Sequence, residues 1–205
     1  MIESFFRSFY RYFRPIRIKG SNNNYHCESR LGRKFNVYVS GNENDIRIGS
    51  DCLLENTSIF VSGNNNRIVV SDKVRFLGPC EIILQGNAEL ILGSNTGIRG
   101  VEFNLKQARI QVGELCMFSY GIVLRNHDSH RIIDPSNNQV INQPKDIVLG
   151  NHVWIGQNVT ILKGANVGDN SIIGFGSVVT SSYEAGSVLA GVPARVVKQN
   201  VNWDY

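Results

Sequence analysis

The sequence predicts an all-β chain, a parallel β-helix of short strands with one extruded loop, on three observations. Aliphatic residues recur every six positions in the C-terminal half, Asn-Gly turns recur more widely in the N-terminal half, and one stretch between them loses the period. Counting in sixes from Leu149 gives Ile155, Ile161, Val167, Ile173 and Val179. Glycine follows at Gly150, Gly156, Gly168 and Gly174, and an apolar or small residue stands two places earlier each time: Ile147, Val153, Val159, Ala165, Ser171 and Ser177. A helix would repeat at about 3.6 residues and a simple strand at about 2. A period of six fits one strand plus one turn, with three such units closing a triangular coil of about eighteen residues.

The first element is a basic aromatic arm. Residues 1–19 hold Arg7, Arg11, Arg14, Arg17 and Lys19 against Glu3, so the net charge of +4 is concentrated there and the remaining chain is balanced. Phe5, Phe6, Phe9, Tyr12 and Phe13 fall near one helical face, and Pro15 stops the helix. Such an arm is expected either to cap the first coil of a solenoid or to touch an anionic membrane peripherally. A localised basic arm gives no reason to expect nucleic acid as a partner. No apolar run reaches the roughly 18 residues of a membrane span, and arginines interrupt any secretory-type leader, so a cytoplasmic location, free or peripheral to a membrane face, is expected.

Residues 20–198 form the expected solenoid domain. "GNENDIRIGSDCL", "GNNNRIVVSDKV" and "GNAELILGSNTG" begin at Gly41, Gly63 and Gly86, and the aliphatics Ile48, Val70, Leu92 and Val112 mark successive coils with longer corners. The Asn-Gly clusters are expected as external turns. In this register Cys52, Val74, Thr96, Cys116 and Val153 share one interior column, which makes the two thiols small core residues. The four cysteines show no CxxC spacing and suit a reducing compartment.

Between Val112 and Leu149 the period breaks over residues 126–145, "NHDSHRIIDPSNNQVINQPK". A loop of that length, without structure of its own, leaving a rigid prism and carrying His127, Asp128 and His130, is a candidate site. Residues 199–205 are expected to be a tail.

Over Gly121–Lys198, and above all in "NHDSH", "IVLGNHVWIGQNVTILKGANVGDNSIIGFGSVVT" and "AGVPARVV", the chain resembles the hexapeptide-repeat acyltransferases. The similarity is strongest to the branch of galactoside, maltose, xenobiotic and capsular-polysaccharide O-acetyltransferases. Over residues 20–120 it is architectural only, and over 1–20 it is absent. The resemblance implies a left-handed β-helix, a homotrimer with clefts between subunits, and acetyl-CoA as donor with no metal. The implied acceptor is a sugar hydroxyl of a bacterial surface polysaccharide (capsule or O-antigen) or its precursor. A free sugar or antibiotic acceptor is the alternative within the class, and a non-catalytic binding scaffold the alternative outside it. The three-histidine zinc site of related β-helical carbonic anhydrases does not fit the spacing of the four histidines here.

Carried over residue by residue, the family's catalytic histidine falls on His127, a general base for direct transfer without an acyl-enzyme. His130 is expected to hold the acceptor or orient His127, and Asp128 to fix a tautomer. Trp154 takes the family's tryptophan, facing outward as a flat wall because Val153 and Ile155 point inward. Acetyl-CoA contacts map onto Gln157, Phe175, Thr180, Ser181, Arg195 and Lys198, the two cations matching phosphates. Gln157 and Phe175 replace smaller family residues. The asparagine expected one coil before the histidine is replaced by Arg99, which would meet an anionic sugar or a surface carboxylate.

Overall fold

The structure is a computed structural model that describes residues 16–204. The chain winds repeatedly through three sheets, A, B and C, each of eight strands and all parallel except the last strand of sheet C. Successive coils stack one residue column upon the next. Ile48, Val70, Leu92, Val112, Leu149 and Val167 pair in unbroken register on sheet B, as the spacing predicts. On sheet A the inward column is Val37, Ile59, Ile82, Phe103, Leu124, Ile161 and Val179. All of these are buried, and each removes apolar surface worth roughly 1.5–3 kcal/mol from water. Cys52, Val74, Thr96, Cys116 and Val153 are buried together as expected. Burial pushes the Cys80 and Cys116 thiols up to about 12 and about 11 respectively, so neither is a nucleophile near neutral pH.

The solenoid begins earlier than the boundary at residue 20. Ile16–Lys19 is the first strand of sheet A, paired in parallel with residues 37–40. The alternation Ile-Arg-Ile-Lys after Pro15 suits a strand better than the end of a helix. The rest of the expected helical arm, residues 1–15, lies outside the described residues, as does residue 205. Among the described residues no helix is long and apolar enough to cross a membrane.

The Asn-rich corners between sheets A and B are turns, but they are not wholly external. Asn44 and Asn66 are buried and form a ladder: Asn66 Nδ2 donates to Asn44 Oδ1 at 2.8 Å, and Asn44 Nδ2 donates to Asn23 Oδ1 at 2.9 Å. Asn66 Oδ1 in turn accepts from the Ala88 N–H at 3.2 Å. The ladder satisfies backbone and side-chain groups that would otherwise be stranded in the interior. Gly41 is required beside it, because at φ 138° a Cβ would lie 2.0 Å from the Gly63 carbonyl oxygen.

At the C-terminal end, Ala194–Lys198 turns back antiparallel on Val188–Gly191, and Tyr183 Oη donates to the Ala194 carbonyl at 2.8 Å. This covers an edge that would otherwise template pairing with another chain. Residues 199–204 then run back along the corner between sheets B and C, tied by the Val201 N–H to the Gly186 carbonyl at 3.0 Å.

The extruded loop leaves sheet A after Arg125 and returns to sheet B at Ile147. Its neck is closed by the Lys145 N–H donating to the Asn126 carbonyl at 3.1 Å. The loop does have structure of its own, contrary to expectation: Ile133–Asp134 pairs antiparallel with Gln139–Val140. Asp134 holds the tip by accepting from the N–H and hydroxyl of Ser136, a local bond open to Asp in a turn.

Candidate active site

Two histidines three residues apart occupy opposite environments. His127 is 5% exposed. Its Nδ1 accepts from the Ser129 N–H at 3.0 Å, and its Nε2 lies 2.9 Å from Asn104 Oδ1. Asn104 is oriented by donating its Nδ2 to Glu102 at 3.1 Å, which leaves its carbonyl oxygen facing the ring. Both contacts therefore select one neutral tautomer, with the proton on Nε2. Burial, then the nearby Arg125 and Lys106, hold the His127 pKa below its ordinary value.

His130 is exposed, and its imidazole makes no hydrogen bond among the described residues. Its backbone, by contrast, is fixed on both sides. The His130 N–H donates to the Asp128 carbonyl at 2.7 Å, and Asn142 Nδ2 donates to the His130 carbonyl at 2.8 Å. Asn142 also donates to Asp128 Oδ2 at 2.8 Å and accepts from the Ile132 N–H at 2.7 Å, so it staples the outgoing and returning limbs of the loop. Lys163, one coil above, reaches down to the Asp128 carboxylate. The bonds from Lys163 and Asn142 hold that carboxyl below its usual range. Asp128 thus braces the loop, with no hydrogen bond to either imidazole.

The other expected residues fall elsewhere. Trp154 is outward on sheet C, 43% exposed, with Val153 and Ile155 in the core. Gln157 and Phe175 sit one above the other at the corner between sheets C and A, where the Gly176 N–H donates to the Gln157 carbonyl at 2.9 Å. Arg195 and Lys198 are exposed on the terminal strand of sheet C. Thr180 and Ser181 instead lie at the corner between sheets A and B, on the same edge as the loop.

Arg99 is not one coil before His127. It stands near the corner of sheets C and A, hydrogen-bonded to Tyr120 Oη at 3.3 Å, with its guanidinium 5.9 Å from that ring. The side chain that meets His127 from the coil below is that of Asn104, which lies beneath Arg125 in the backbone register. Asn104, Asn142 and Lys163 were not singled out from the sequence, and neither was Trp203. The Trp203 indole stacks on His152 at 4.0 Å and lies 6.0 Å from Trp154.

The site residues therefore form two groups. One group, His127, His130, Lys163, Thr180 and Ser181, belongs to the A–B edge. The other, Arg99, Trp154, Gln157, Phe175, Arg195 and Lys198, belongs to sheet C and its border with sheet A. In a three-sided prism, sheet C is the face opposite the A–B edge.

The family model for the bacterial transferase hexapeptide (six repeats) matches residues 146–181. The chain is 34% identical over 168 residues to the polysialic acid O-acetyltransferase of Neisseria meningitidis, covering 80% of this chain and 77% of that one. Among solved structures, the polySia specific acetyltransferase NeuO superposes with a TM-score of 0.85 at 29% identity, over 93% of this chain and 88% of that one. The polysialic acid O-acetyltransferase OatWY superposes with a TM-score of 0.79 at 33% identity, over 93% and 87%. With the coil register, the extruded loop and these likenesses in place, the chain belongs to the hexapeptide-repeat O-acetyltransferases.

Proposed function

We propose that this chain moves the acetyl group of acetyl-CoA to a hydroxyl of a negatively charged bacterial surface polysaccharide, with His130 as general base. The contrast between the two histidines carries the choice of base. A base needs a free lone pair within reach of the acceptor. At His127, Nδ1 already accepts from Ser129 and Nε2 carries the proton toward Asn104. At His130 the backbone is held while the ring faces outward. The sequence reading gave the base to His127; its geometry suits a residue that seats the loop.

In this reading His130 takes the proton of the sugar hydroxyl, and the oxygen attacks the thioester carbonyl carbon. The tetrahedral adduct collapses with cleavage of the C–S bond, and the imidazolium returns its proton to the departing CoA thiolate. Holding donor and acceptor in one cleft removes much of the entropic part of the barrier. Trp154, Gln157 and Phe175 offer a wall along the donor, and Arg195 and Lys198 offer positive charge to its phosphates. Thr180 and Ser181 would reach the donor from the loop edge.

Because the base and the donor wall occupy opposite sides of one prism, one subunit cannot supply both to the same cleft. A closed homotrimer, in which the A–B edge of each subunit meets sheet C of the next, supplies both. For the acceptor, the polysialic acid specificity of the relatives is joined by a feature of this chain. An open groove of about 1300 Å³ along sheet C is lined by Arg30, Lys73, Arg75 and Arg99, with Glu28 and Asp51 as its acids. Its excess positive charge suits a polyanion.

Acetyl transfer to polysialic acid and to neutral galactosides, measured for His130→Ala and His127→Ala, tests the reading. His130→Ala is expected to lower kcat by about 10²–10⁴-fold with little change in the KM for acetyl-CoA. Near-normal turnover in His130→Ala, with loss in a His127→Ala protein whose loop stays protease-resistant, would return the base to His127. Equal use of neutral galactosides would remove the polyanion.

A further inference from the structure

We infer that Trp203 is a positioning residue that fixes the Trp154 side chain and so sets how tightly the site holds its ligand. This rests on the reading of Trp154 as a wall of the site. The chain has two tryptophans, 49 positions apart, and the fold brings their rings to 6.0 Å with planes tilted by 48°. The approach is built by the tail. Val201 is tied to Gly186, and the chain then descends the B–C corner until Trp203 meets His152. There the Trp203 Nε1–H donates to the His152 carbonyl at 2.8 Å, and the indole stacks on the imidazole at 4.0 Å and 14°.

His152 is itself a firm seat. It occupies the left-handed corner position at φ 56°, its N–H donates to the Glu114 carbonyl at 2.7 Å, and its Nδ1 lies 3.0 Å from Asn170 Oδ1. Trp154, by contrast, stands outward on a strand of two residues. Ordering a free side chain on binding costs conformational entropy. A second indole, anchored by one hydrogen bond and one stack and placed against the first, removes part of that freedom before any ligand arrives. A tail serving only to cover the corner would need neither the indole N–H contact nor the approach to Trp154.

The full-length protein is compared with Trp203→Ala, Trp203→Phe, Trp154→Ala and the double alanine variant. Measurements are kcat and KM for acetyl-CoA and for polysialic acid, the thermal transition, and the exciton signal of the indole pair in circular dichroism. Trp203→Ala is expected to abolish the exciton signal and raise one of the KM values by about 2–10-fold while kcat stays within about twofold. Trp203→Phe, which keeps the stack, is expected to recover most of the KM. The double variant is expected to be no worse than Trp154→Ala, since the two act as a unit. Wild-type KM values in Trp203→Ala, or additive losses in the double variant, overturn the inference. If Trp203→Ala fails to fold, the Phe variant decides: KM values altered as much as in Trp154→Ala would overturn it. Wild-type kinetics in Trp154→Ala would instead bring down the reading of Trp154 itself.

Discussion

The two halves of the solenoid are built to different gauges. Before the loop, sheet A strands such as Thr57–Ser62, Cys80–Gln85 and Val101–Lys106 have six residues. After it they shrink to three at Thr160–Leu162 and two at Val178–Val179. The strand from which the loop departs, Ile122–Arg125, has four. The last wide strand therefore projects past it as a shelf. The Lys106 N–H donates to Asn126 Oδ1 at 2.9 Å, and Asn104 meets His127. The narrow half contributes Lys163 from above. A loop of twenty residues is thus held from below by the wide gauge and from above by the narrow one, and the change of gauge is what makes room for it.

The largest way to break this comparison is to damage the shelf. Phe103 is fully buried in the wide strand and lies 6.1 Å from the Phe118 ring. Phe103→Ala is expected to cost about 3–5 kcal/mol in denaturant unfolding, by loss of transfer energy and by cavity formation. The matching change in the narrow half, Ile173→Ala, is expected to cost about 2–5 kcal/mol while leaving the loop seated. Protease cleavage within 126–145 separates the two, since only the Phe103 variant should release the loop.

Next comes the ladder peculiar to the wide half. Asn66→Ala is expected to cost about 1–3 kcal/mol, because the Ala88 N–H loses its buried acceptor and Asn44 Oδ1 keeps only the backbone N–H of residue 66. Equilibrium unfolding with an unchanged denaturant slope would check it.

The coupling of loop to shelf has a pH dependence of known sign. The folded pKa of His127 lies below its unfolded value of about 6.5. Its contribution to stability is therefore complete above that value and is lost as pH falls through the folded pKa. Protease resistance of the loop should decline as pH falls below about 6.5 in the wild type, and His127→Gln should flatten that decline. The smallest effect is expected at the upper tie. The Lys163 and Asp128 side chains are 23% and 39% exposed, so a double-mutant cycle on the pair should return about 1 kcal/mol or less, falling with salt.

The narrow half was legible from sequence because its period is local: each residue from Leu149 to Val179 declares its direction by its place in six. The wide half was legible in outline, since Ile48, Val70, Leu92 and Val112 mark whole coils. Individual facings were lost where corner lengths vary. That is why Arg99 was set beneath the histidine and Asn104 overlooked, and why Asn44 and Asn66 were placed outside. Within the loop no period exists at all. Asn142 contacts Asp128 across 14 positions, and Lys163 reaches it across 35, so neither pattern nor motif announces them. Trp203 lies beyond the last coil, where a polar tail gives no register. The histidines were found as a pair, but which nitrogen is free depends on neighbours brought by the fold.

The neck of the loop has a consequence for how this fold tolerates change. Below and above the excursion the coils pair as though it were absent, Ile110 on Ile147 and Val112 on Leu149, and one hydrogen bond between Lys145 and Asn126 closes the opening. An insertion or deletion inside the loop therefore shifts no residue of the stacked coils. Doubling a loop's length costs only about 0.6 kcal/mol in closure entropy. The segment that carries His130 can thus lengthen, shorten or be replaced with the folding of the rest left untouched.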